Sequence, residues 1–123
     1  IYERLAKENP ETYESDVAMT LNNLALLYFA QNDVTAAIDA YKRALEIYER
    51  LAKENPKCFE LDLSNTLHIY GICKLQNGDI ETGTVQIDRA KQIAKKYKDV
   101  PRAQQIVEET NQLLDKKRER NGD

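Results

Sequence analysis

At 123 residues, with 41% hydrophobic and 32% charged side chains, the chain suffices for one small domain or a short repeat array and is too apolar for disorder. A formal charge of −3 gives no overall attraction for nucleic acid or an anionic membrane, and no apolar run approaches the roughly 18–20 residues of a membrane span. Two cysteines, Cys58 and Cys73, are too few for a disulfide scaffold and fit no metal-spaced cluster, so both are expected as reduced thiols and the chain as cytoplasmic.

Residues 1–10 (IYERLAKENP) recur unchanged at residues 47–56, which fixes a period of 46. Such self-similarity marks stacked supersecondary units. Because the opening decapeptide matches the end of the first complete unit, residues 1–9 are expected to be the end of a second helix from a truncated upstream repeat. The chain then reads as the C-terminal part of a longer array. Residues 10–56 form a complete repeat, 57–98 a degenerate one, 99–119 a capping helix and 120–123 a frayed tail.

In chain order, Asn9-Pro10 punctuates the end of the first segment. Glu11 to Glu14 is expected as a turn, with Ser15 or Asp16 capping the helix that follows. Val17, Leu21, Leu24, Ala25 and Tyr28 then recur at helical spacing. Asn32-Asp33 makes a tight turn into a second helix that carries Ala37, Ile38, Tyr41, Ala44, Leu45, Tyr48 and Leu51. A gap that short permits only an antiparallel hairpin.

The second unit repeats the plan, with helices over about 61–76 and 80–98, a turn at Asn77-Gly78-Asp79 and Cys58 in the preceding loop. Several of its residues depart from the first unit: Tyr28 aligns with Lys74, Ala37 with Gly83 and Leu45 with Lys91, as expected of a terminal unit with less to bury. Pro101 suits the first turn of a fifth helix, and Asp99 stands where a cap is useful. Ala103, Ile106, Val107, Thr110, Leu113 and Leu114 form its apolar stripe, opposite a polar face of Gln104, Glu108, Glu109, Asn111, Gln112 and Asp115. One wet face is what closes the open end of a stack.

The segment TLNNLALLYFAQNDVTAAIDAYKRALEIYERL, residues 20–51, resembles a tetratricopeptide repeat. Leu24, Ala25, Tyr28, Ala37, Tyr41 and Ala44 occupy the pattern positions of that family, with Leu21 where Trp is usual. The LNNLALLY run and the long second helix resemble in particular the kinesin-light-chain-like branch. The second unit matches more weakly, through Gly71, Ile87, Ala90 and its Asn-Gly-Asp turn. The resemblance implies an all-α, right-handed superhelical solenoid of antiparallel helix hairpins with a C-terminal capping helix. It also implies a non-catalytic scaffold that holds a protein or peptide in a concave groove lined by the first helix of each unit.

On that implication the partner-binding residues are Met19, Asn22, Asn23, Leu26 and Phe29 in the first unit and Asn65, His68, Ile72 and Leu75 in the second. Asparagine amides there can pair with a peptide backbone and the apolar residues can form pockets. The relatives that clamp a chaperone's C-terminal carboxylate do so with cations; His68 and Ile72 stand at those places, which argues against such a ligand. No cofactor or small-molecule substrate is expected. His68 has no partner at catalytic or zinc-binding spacing, and no phosphate loop or serine–histidine motif is present. Two further partner readings arise. Lys91, Lys95, Lys96, Lys98, Lys116, Lys117, Arg118 and Arg120 offer an RNA or anionic surface contact, although acidic residues are interleaved with them. An exposed N-terminal end offers self-association.

Overall fold

The computed structural model describes residues 10–120, with side chains over 11–115; the expectation for residues 1–9 and most of the tail lie outside them. Five helices follow in order: α1 (Pro10–Ala30), α2 (Val34–Glu54), α3 (Pro56–Gln76), α4 (Ile80–Ala94) and α5 (Pro101–Arg120). Each packs on its chain neighbour, and α3 also touches α5. The result is a helical-repeat solenoid of two hairpins closed by a fifth helix.

The two hairpin turns use one device. Asn32 and Gly78, 46 residues apart, both take the left-handed backbone conformation, with φ of 65° and 90°. Asparagine and glycine are the residues that tolerate it. In each turn the next residue's N–H reaches back five positions: Asp33 N to Tyr28 O at 2.9 Å, and Asp79 N to Lys74 O at 2.9 Å. This bond satisfies a carbonyl that the ending helix leaves open. The same aspartates then cap the next helix, Asp33 Oδ1 accepting from Ala36 N at 3.1 Å and Asp79 Oδ1 from Thr82 N at 3.2 Å. Replacing either aspartate by alanine is expected to cost about 1 kcal/mol in chemical denaturation. A loss at one site and none at the other contradicts a shared device.

Three helix boundaries differ from the sequence expectation. α1 and α3 begin at Pro10 and Pro56, so residues 11–14 are helical and Cys58 lies in a first turn. Proline lacks an N–H but the first turn needs none, and its fixed φ suits a helix start. Ser15 and Asp16 are therefore interior residues, and the Asp16 carbonyl accepts from Thr20 Oγ1 at 2.9 Å. α4 ends at Ala94, four residues early, in turns closed by Lys96 N to Ile93 O and Tyr97 N to Ala94 O. At α5 the Val100 carbonyl accepts from Gln104 N at 3.0 Å, and the Gln104 side chain donates to Lys98 O.

One core runs through both units, from Ala18 and Ala25 through Tyr41, Tyr48 and Leu51 to Leu63, Leu67 and Ala90. A smaller cluster of Ala94, Ala103 and Ile106 seats α5. Ion pairs repeat with the chain: Arg50 to Glu14 at 2.9 Å in the first unit, Lys96 to Glu60 at 3.1 Å in the second. Between units, Arg89 of α4 grips both carboxylate oxygens of Glu49 of α2, and that hydrogen bonding holds the guanidinium above its ordinary pKa. Leu24, expected in the core, is exposed.

Candidate protein-interaction face

α1 and α3 are the first helices of their units, and their side chains sort into sides by 46-residue pairs. On one side lie Met19, Asn23, Leu26 and Ala30 of α1, paired with Asn65, Ile69, Ile72 and Gln76 of α3. Spacings of four, three and four keep each set on one helical stripe. In α1 this stripe is open, with Met19 and Leu26 exposed by 53% and 57%. In α3 it remains partly open, Asn65, Ile69 and Ile72 being half-buried and Gln76 exposed.

The expected groove residues do not all share this stripe. Asn22 is half-buried in the seam between units, where its Nδ2 donates to Thr66 Oγ1 of α3 at 3.0 Å. Thr66 in turn donates to Asp62 O at 2.9 Å, so a fully buried hydroxyl is satisfied on both counts. His68, the counterpart of Asn22, is buried where α3 meets α5, its Nδ1 lying 3.7 Å from Glu109 Oε2. Its Nε2 is buried without a hydrogen-bond partner. Burial pulls the imidazole pKa below its ordinary value, although Glu109 pulls the other way. The ring is therefore neutral near pH 7, and 3.7 Å is too long for a hydrogen bond. Phe29 is half-buried against the core, and Leu75 packs where α3 crosses Gly83 of α4. Of the nine residues named from sequence, Met19, Asn23, Leu26, Asn65 and Ile72 share the open stripe; Asn22, Phe29, His68 and Leu75 are held by contacts within the fold.

Sequence reasoning missed Thr66. Its signal was the pair Asp16/Thr20 repeated as Asp62/Thr66, an aspartate four residues before a threonine at the same phase of both units.

Elsewhere the chemistry is structural. Burial pushes the Cys73 thiol up to about 11, and Cys58 is exposed. Tyr97 donates to Glu60 Oε1 at 2.6 Å, which raises the phenol to about 12. Burial works against the Glu60 carboxylate, but hydrogen bonds from Tyr97 and Lys96 hold it below its ordinary range. Lys96 is thus engaged, while Lys95 and Lys98 are exposed. Among the described residues no group of three His, Cys, Asp or Glu side chains is placed to hold a metal ion, and no helix is long and apolar enough to cross a membrane.

A search of curated proteins finds no match to the chain. Residues 17–56, which span most of α1 and all of α2, match the family model described as tetratricopeptide repeat. Repeats of this kind are in general non-catalytic scaffolds for contacts between proteins. With duplicated turns and stacked helix pairs around it, the segment over residues 17–56 is a tetratricopeptide repeat.

Proposed function

We propose that the chain is a non-catalytic scaffold that holds a peptide or partner helix across the stripe of Met19, Asn23 and Leu26 on α1 and Asn65, Ile69 and Ile72 on α3. One observation carries this reading. The stripe stays open in the second unit, where stacking has closed the other sides of the first helix. A surface that survives stacking is available to a partner, and exposed apolar side chains at its centre give that partner something to bury. Asn23 and Asn65 add amides that pair with a backbone or polar side chains.

Peptides selected by display against the full chain provide the test. Leu26→Arg and Ile72→Arg are each expected to weaken a selected peptide by about tenfold or more, the loss of one apolar anchor. Leu24→Glu, on another side of α1, should leave binding unchanged. Binding that tolerates both arginines and fails with Leu24→Glu removes the reading. Asn22→Ala and His68→Ala act at seams and are expected to lower stability.

A further inference from the structure

Charge is unevenly shared between the first and second helices of the units. Between residues 17 and 31, α1 carries no charged side chain, and over the matching residues 63–77 of α3 the one charge is Lys74. Lys74 is turned to Asp79 across the hairpin turn, at 3.8 Å, and to the ring of Tyr70, at 5.7 Å. Of the charges nearer the helix starts, Glu14 pairs with Arg50 of α2, Glu60 with Lys96, and Asp62 with Arg102 of α5. α2, by contrast, carries Asp39, Lys42, Arg43, Glu46, Glu49 and Arg50 along its middle turns.

The open stripe is therefore neutral from end to end. Met19, Asn23, Leu26 and Ala30 of α1 and Asn65, Ile69, Ile72 and Gln76 of α3 offer only apolar and amide groups, in a chain 32% of whose residues are charged. That neutrality has an energetic meaning. A ligand carboxylate or ammonium buried against the stripe gives up its water and meets no countercharge, a far larger loss than an amide or a methyl group incurs. Asparagine and glutamine side chains each offer a donor and an acceptor to a ligand amide without that penalty.

We propose, resting on the groove reading above, that the partner is a polypeptide segment whose contacting residues are aliphatic, amide or hydroxyl side chains, and that the stripe selects it by rejecting charge of either sign. The aliphatic residues seat against Met19, Leu26 and Ile72, and the polar ones meet Asn23, Asn65 and Gln76. Discrimination comes from what a charged competitor leaves unpaired. With no ion pair across the interface, affinity is insensitive to salt.

A displayed library of random peptides, panned on the full chain, reads the preference. Sequences whose binding Leu26→Arg and Ile72→Arg weaken define the ligands of the stripe. They are expected to lack Asp, Glu, Lys and Arg at the positions that an alanine scan marks as contacts. Their affinity should change by less than about twofold between about 50 and 500 mM salt. Exchanging a contacting Asn or Gln of the peptide for Asp or Glu should weaken it about tenfold or more. Asn23→Lys, at an exposed position, should bring acidic residues into the selected sequences and make their binding salt-sensitive. Stripe-dependent peptides that bear contacting charges, or that weaken about tenfold over the same salt range, overturn the proposal and leave the groove reading standing. Peptides indifferent to both arginines remove the groove reading itself, and the proposal with it.

Discussion

Gly71→Ala is expected to destabilise the chain by about 1–3 kcal/mol, although alanine is the better helix former by up to about 1 kcal/mol. A Cβ built at Gly71 meets Ile87 Cγ1 at 2.5 Å and the Gly83 carbonyl oxygen at 2.9 Å. The oxygen is backbone and cannot move aside without shifting α4. Gly83 is the reciprocal case, its Cβ falling 2.8 Å from the Gly71 carbonyl. The two glycines oppose each other where α3 crosses α4, and their counterparts in the first unit are Ala25 and Ala37, both fully buried. Gly83 thus serves a closer helix approach than the first unit uses, where sequence comparison suggested a unit with less to bury. Urea unfolding of Gly71→Ala, Gly83→Ala and the double variant measures the effect. A Gly71→Ala chain as stable as the parent refutes the close approach. The double variant should lose less than the sum of the singles, since one separation of the helices relieves both overlaps.

What was legible in the sequence was whatever the period writes twice. The turns at Asn32-Asp33 and Gly78-Asp79, the hairpins around them and the core stripe of Tyr41, Ala44, Tyr48 and Leu51 follow from local chemistry and spacing. The helix starts were misread because proline was taken only as the end of the preceding helix, when Pro10 and Pro56 also open the next one. Asn22, Phe29, His68 and Leu75 stood among the expected groove residues for a different reason. Spacing of three and four residues defines a stripe on a helix without saying which neighbour lies over it. Asn22 and His68 lie on the flank turned toward the following unit, and only the position of α3 and α5 distinguishes that flank from the open stripe. Thr110, expected in the apolar stripe of α5, is buried, whereas buried Thr66 was missed; each hydroxyl bonds to a carbonyl of its own helix and so buries at little cost.

The seam at His68 has the second large consequence: acid should loosen α5. Burial favours the neutral imidazole, and Glu109, the charged group facing it from α5, offsets that preference only in part. With a folded-state pKa below the ordinary 6.5, the stability contributed by neutral His68 is complete above pH 6.5 and is lost as pH falls toward and through the folded value. One proton limits the slope to about 1.4 kcal/mol per pH unit. The expected result is a melting temperature that drops between pH 7.5 and 5.5, with faster amide exchange in α5 than in α2 over the same range. His68→Asn, which installs the residue the first unit uses at this place, should flatten the profile. Glu109→Gln should steepen it, because the protonated ring then loses the carboxylate that faces it from α5. A parent profile as flat as that of His68→Asn would mean that the imidazole is hydrated or paired in solution and that α5 does not bury it.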